Sequence, residues 1–126
     1  MEEKQITVLV IDDDNFFADV VCHKLKAEGM ESEYAPTGTI AFSLLETKTP
    51  SCILLDVMMP DMSGLEVLKK IKAEPRWAKI PVVMFSNDAT DGNIGESKTL
   101  GADVFLEKVN VDLGRVASTI RSLVEK

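Results

Sequence analysis

The chain has 126 residues, of which 45% are hydrophobic and 28% charged, with a formal net charge of −7. This composition fits one ordinary globular domain with a single core and excludes a disordered chain. The negative balance disfavours nucleic-acid binding, which wants a basic face, and no apolar run approaches the roughly 18 residues needed to span a bilayer.

Met1–Lys4 is too acidic and too polar for a signal peptide. Cys22 and Cys52 form no CxxC pair, so two reduced, partly buried thiols in a cytoplasmic protein are expected.

Strand and helix signals alternate along the chain. Ile6 to Ile11 is an apolar, β-branched run that reads as a central strand, and it ends in Asp12, Asp13 and Asp14. Asn15 to Glu28 carries Phe16, Phe17, Val20, Val21 and Leu25 on a helical face, with Gly29 as a stop. Glu31 to Ala35 alternates weakly, as an edge strand does. Thr37-Gly38 opens a helix through Ile40, Ala41, Leu44 and Leu45 that ends before Pro50. Cys52 to Leu55 is a second buried strand, and Leu65, Val67, Leu68 and Ile71 mark a third helix closed by Glu74-Pro75.

Pro81 to Phe85 is another short buried strand. Ala89 to Leu100 is the weakest helix, because Gly92 and Gly95 each cost about 1 kcal/mol relative to Ala in a helix interior. Gly101-Ala102-Asp103 is a turn, and Val104 to Leu106 is the last strand, ending at Glu107-Lys108. Leu113, Val116, Ala117, Ile120, Leu123 and Val124 make a strongly amphipathic final helix. Strict alternation without repeat or linker implies an α/β fold, a parallel sheet with helices on both faces joined by right-handed crossovers.

Asp56 ends the run Ile53-Leu54-Leu55 and is followed at once by Val57-Met58-Met59-Pro60-Asp61. In open α/β sheets, ligands bind beyond the carboxyl ends of strands. Neighbouring strands ending in Asp12, Asp13 and Asp56 would crowd several acids together. Such repulsion makes sense only with a cation among them, or with one acid as a reactive group.

These residues carry a family likeness. Asp12 and Asp13 follow the first strand, Asp56 lies 43 residues after Asp13, Ser86 lies 30 after Asp56, and Lys108 lies 22 after Ser86. Met59-Pro60-Asp61-Met62-Ser63-Gly64 is similar to an MPxMxG turn, and the stretch from Gly101 to Lys108 to a GAxxFxxK ending. Over nearly its whole length the chain resembles the receiver domain of two-component response regulators. The resemblance implies a doubly wound, flavodoxin-like sheet of five parallel strands flanked by five helices, with residues 1–126 as one receiver domain. Such a domain is either a whole single-domain regulator or a receiver excised from a larger protein.

The resemblance also implies a site. Asp56 would be the phosphoacceptor, taking a phosphoryl group from a sensor histidine kinase or a histidine phosphotransfer protein. Mg2+ would be held by Asp12, Asp13, Asp56 and the Met58 backbone carbonyl, matching its demand for oxygen ligands. Lys108 would reach the phosphate as a point cation, and Ser86 would bond it through its hydroxyl. Ser86 and Phe105 would act as switch residues, re-forming the surface of the fourth helix, fifth strand and fifth helix to control a downstream protein target. With Phe at position 105, that switch works by packing, since no tyrosine hydroxyl is present. A phosphorylation-dependent homodimer is a further possibility of the family. The domain would be no conventional enzyme, showing only self-phosphorylation from small donors and slow self-hydrolysis.

Two departures stand out. Val109 replaces the Pro that usually follows the family's Lys; since a cis bond to a non-proline costs about 2.5–4 kcal/mol, a trans Lys108–Val109 bond is expected. Asp88 and Met58 occupy positions that tune phosphate lifetime in the family, the acid able to orient a water and the thioether not.

The same residues admit blander and rival readings. Asp14 suits a helix cap. His23 suits a solvated helix face, Trp77 an anchor over the sheet edge, and Met58, Met59 and Met62 core filling or a soft docking surface. A flavodoxin-like cofactor binder would want a hydroxyl- and glycine-rich loop where the three acids stand. An Asp-nucleophile phosphatase would use the Asp12 and Asp14 spacing, and a receiver-like scaffold would act by protein binding alone.

Overall fold

Among residues 5–125, which the computed structural model describes, strands and helices alternate throughout. The strands are β1 (Thr7–Ile11), β2 (Glu31–Ala35), β3 (Cys52–Leu55), β4 (Val82–Ser86) and β5 (Val104–Glu107). The helices are α1 (Asn15–Ala27), α2 (Gly38–Thr47), α3 (Gly64–Ala73), α4 (Asp91–Thr99) and α5 (Leu113–Val124). The reading of Met1–Lys4 lies outside the described residues.

The strands form one parallel sheet in the order β2-β1-β3-β4-β5. β3 and β4 are buried along their whole length, as strands covered on both faces must be, whereas β2 at the edge buries only Ala35. Alternate side chains feed two cores. Val8, Val10, Leu54, Val83 and Phe85 pack under α1 and α5, while Leu9, Ile11, Ile53, Leu55 and Met84 pack under α2 and α3. Strand order reverses between β1 and β3, and the carboxyl ends beside such a reversal are where this architecture opens a crevice.

Local chemistry sets the helix starts. Asp14 caps α1 by accepting from the Phe17 N–H, Thr37 caps α2, Ser63 caps α3 and Thr90 caps α4. The fourth helix therefore begins two residues later than the apolar pattern implied. Gly29 and Gly101 take positive φ, the left-handed conformation that ends a helix without strain.

Two packing expectations need correction. Phe16 and Val20 are 79% and 36% exposed, because the sheet takes Ala18, Val21 and Leu25 as the buried stripe of α1. Cys52 is fully buried in β3, not partly, and burial pushes its thiol up to about 12. Trp77 is buried in the second core and stacks on Phe42 of α2 at 5.8 Å. His23 is exposed, as expected, and both cysteines are free.

α4 is thinly anchored, with Ser97 its one buried residue. A Cβ built on Gly95 would meet nothing within 4 Å. Gly95→Ala is therefore expected to stabilise the protein by about 0.5–1 kcal/mol, purely by narrowing the unfolded chain's freedom. Urea unfolding checks this, and a fall in stability would mean that α4 needs a glycine for packing.

Candidate functional site

The parallel register places the site. Val10 pairs with Leu54 and Ile11 with Leu55, so the residues that follow, Asp12 and Asp56, emerge side by side. The Asp56 N–H donates to the Ile11 carbonyl at 3.0 Å, locking the two strand ends together. Carboxylate oxygens of Asp12, Asp13 and Asp56 all lie within 4.8 Å of one another. Asp12 and Asp56 are buried, and Asp13 is exposed.

Lys108 comes from just beyond β5. Its N–H donates to the Ser86 carbonyl at 3.1 Å, which carries the backbone back toward β4. The ammonium lies 2.5 Å from Asp12 Oδ2 and 3.3 Å from Asp56 Oδ2. It also sits over the Phe17 ring, 4.9 Å from the centroid, within cation–π range. Phe17 in turn packs against Phe85, the residue before Ser86.

Burial disfavours charge on both Lys108 and Asp12, yet their balances differ. For Lys108, burial is outweighed by the bond to Asp12 and the charge of Asp56, and the ammonium titrates above the usual lysine range. For Asp12, burial wins over the single cation and the like charge of Asp56 adds to it, so its carboxyl lies above the usual range. Asp12 Oδ1 accepts from the Asp14 N–H at 2.9 Å, and Asp56 Oδ1 from the Val57 N–H at 2.7 Å.

The other expected residues stand around this cluster. Ser86 is buried at the end of β4, and its Oγ accepts from the Asp88 N–H at 3.0 Å. Phe105 is half-buried against the second core rather than beside the acids, in a groove shared with Ile94 and Ser97 of α4. Met58 is 63% exposed, whereas Met59 and Met62 pack on the second core. The Lys108–Val109 bond is trans, as expected. The Asp14 carboxylate is committed to the α1 cap, which speaks against a phosphatase pair with Asp12.

Two supports of the site are not read from the sequence. Asp61 accepts from the Gly38 and Thr39 N–H groups and the Thr39 hydroxyl, tying the β3–α3 turn to the start of α2. The Thr39 N–H, with the others, holds its carboxyl below the usual carboxylate range. Tyr34 Oη lies 2.7 Å from both the Asp12 carbonyl and the Asn15 side-chain amide. Burial, with the nearby acids, raises its pKa. A lone Tyr on an edge strand gives no sequence signal for such a role.

Three hard oxygen donors clustered at a crevice suit a small hard cation such as Mg2+ and would suit a soft metal poorly. Lys108, and a cation held by the three acids, would together neutralise an oxyanion brought to Asp56.

Comparisons with known proteins agree with the geometry. The family model of the response regulator receiver domain matches residues 8–121. The "Probable transcriptional regulatory protein TcrX" of Mycobacterium tuberculosis is 34% identical over 96% of this chain, which spans 50% of that protein. "Response regulator PleD" of Caulobacter vibrioides is 37% identical over 92% of this chain, which spans 25% of it. The chain thus spans half or less of the length of these relatives. Among solved structures, a CheY-like response regulator receiver domain protein of Methanospirillum hungatei superposes with a TM-score of 0.90 at 26% identity. That match covers 97% of this chain and 95% of the other. The chemotaxis response regulator CheY4 of Vibrio cholerae gives a TM-score of 0.87 at 26% identity, covering 95% of this chain and 99% of the other.

Proposed function

Because this chain belongs to the response regulator receiver domain family, signalling modules of two-component systems rather than conventional enzymes, we propose that it accepts a phosphoryl group on Asp56. The observation that carries this reading is the meeting of Asp12, Asp13, Asp56 and Lys108 at the strand-order reversal.

In this reading an Asp56 carboxylate oxygen attacks phosphorus, the bond to the donor breaks with its electron pair leaving on the donor, and an aspartyl phosphate results. Asp12, Asp13 and Asp56, with the Met58 backbone carbonyl, would hold Mg2+, which when bound screens the acids and withdraws charge from the phosphoryl oxygens. Lys108 shifts its ammonium from Asp12 to a phosphoryl oxygen, a short move for a flexible stem already between the two acids. The Ser86 hydroxyl donates to another oxygen.

Added charge at Asp56 would then bias the weakly anchored α4. Ser86 and Phe105 carry that change to the surface of α4, β5 and α5, which a downstream protein target reads. The donor is a histidine kinase or a histidine phosphotransfer protein, as the relatedness to response regulators supports. Among the described residues no helix is long and apolar enough to cross a membrane.

Incubation with phosphoramidate and Mg2+ should add one phosphoryl group by intact mass, and EDTA should prevent it. Hydroxylamine should then strip the adduct, since it cleaves acyl phosphates and leaves a phosphoserine intact. A hydroxylamine-resistant adduct would move the acceptor to a hydroxyl such as Ser86. No adduct, in protein that binds Mg2+ by calorimetry, would replace this reading with a scaffold.

A further inference from the structure

We infer that Tyr34 is a positioning residue for the cation site: its phenol, reaching from edge strand β2, holds the Asp12 peptide and so orients the Asp12–Asp13 pair. This rests on the reading of the acid cluster as a Mg2+ site. Asp12 is held at four points. Its N–H donates to the Ala35 carbonyl at 3.1 Å, one carboxylate oxygen accepts from the Asp14 N–H, and the other faces Lys108. The fourth is its carbonyl, 2.7 Å from Tyr34 Oη. That carbonyl belongs to the peptide linking Asp12 to Asp13, so its direction sets where the Asp13 side chain leaves the loop.

A phenol has one proton and cannot donate to two acceptors. Asn15 Oδ1 lies 2.7 Å from Oη, and a half turn of the amide, which exchanges its oxygen and nitrogen, turns Nδ2–H toward Oη and leaves the phenol proton for the Asp12 carbonyl. A relay then runs from Asn15 through Tyr34 to the Asp12 carbonyl, pinning the first residue of α1 to the first residue after β1. Without the hydroxyl, a carbonyl dipole beside three acids is free to turn. The rival account makes Tyr34 a packing residue, since its ring lies against the first core. Tyr34→Phe separates the two, because it keeps the ring and removes only the oxygen.

The test is calorimetric titration of Mg2+ into the wild type, Tyr34→Phe and Asn15→Ala. The Phe variant is expected to bind about tenfold more weakly, the lower end of the roughly 10–100-fold that loss of an outer support costs at metal sites, because Tyr34 holds a ligand's backbone and not its carboxylate. Asn15→Ala should lose less, since the phenol proton still reaches Asp12. Tyr34 is the single tyrosine of the chain, so Mg2+ should also shift the tyrosine near-ultraviolet absorption of the wild type. Equal Mg2+ affinity in folded wild type and Phe variant overturns the inference and leaves the Mg2+ reading standing. A wild type that binds no Mg2+ overturns both. Should Tyr34→Phe fail to fold, the wild-type tyrosine spectrum decides, and an unmoved spectrum at Mg2+ saturation counts against the inference.

Discussion

Asp56→Asn will fold and will take no acyl phosphate, its incorporation from phosphoramidate falling at least about a hundredfold because an amide oxygen is no nucleophile. The substitution is nearly isosteric, so Asn can still accept the Val57 N–H that the carboxylate holds at 2.7 Å. Lys108 keeps Asp12 as its partner at 2.5 Å. Removing one of three crowded negative charges relieves repulsion, which offsets the lost contact to Lys108 at 3.3 Å. The thermal midpoint without Mg2+ is therefore expected at or above that of the wild type. Undiminished incorporation would place the acceptor elsewhere. A sharply lowered midpoint would show that the Asp56–Lys108 pair dominates the local electrostatics.

Gly64→Ala will destabilise the protein by about 3 kcal/mol or more, at the upper end of what overpacking usually costs. A Cβ built on Gly64 would stand 1.8 Å from the Asp56 carbonyl oxygen, 2.8 Å from its carbonyl carbon and 3.0 Å from the Val57 Cα. All three are backbone atoms, so no side chain can swing aside. The start of α3 approaches so closely because the Gly64 N–H donates to the Val57 carbonyl at 2.7 Å. An added methyl must push α3 off the loop that carries Asp56, so phosphoryl acceptance should fall with stability. Urea unfolding beside Gly95→Ala makes the comparison internal, because the same change of one methyl should have opposite signs at the two glycines. Wild-type stability for Gly64→Ala would mean that the loop and helix are not held at this distance.

Much of this architecture was legible along the chain. The apolar runs at Val8–Ile11, Cys52–Leu55 and Val82–Phe85 are central strands, since only a strand covered on both faces is uniformly apolar. Asp14 and Gly29 bracket α1 through capping and a left-handed stop, effects that act within a few residues. The ordered acids, hydroxyl and lysine could be matched to a family because each stands at or just past a strand end, and strand ends are visible in hydropathy. The buried side of α1 was not legible. Phe16 and Val20 are as apolar as Val21, and which of them faces the sheet depends on the angle at which the helix crosses it.

Sequence alone determined the alternation of elements, the strand-end placement of Asp12, Asp13, Asp56, Ser86 and Lys108, and the chemical types present. Those follow from local periodicity and from which residues punctuate it. Only the tertiary structure decided that Lys108 lies between Asp12 and Asp56 over the Phe17 ring, that Asp61 clamps the start of α2, and that Tyr34 holds the Asp12 carbonyl. Each of these joins residues distant in sequence. The strand order and register of a parallel sheet, which no local pattern encodes, set how far apart such residues finally stand.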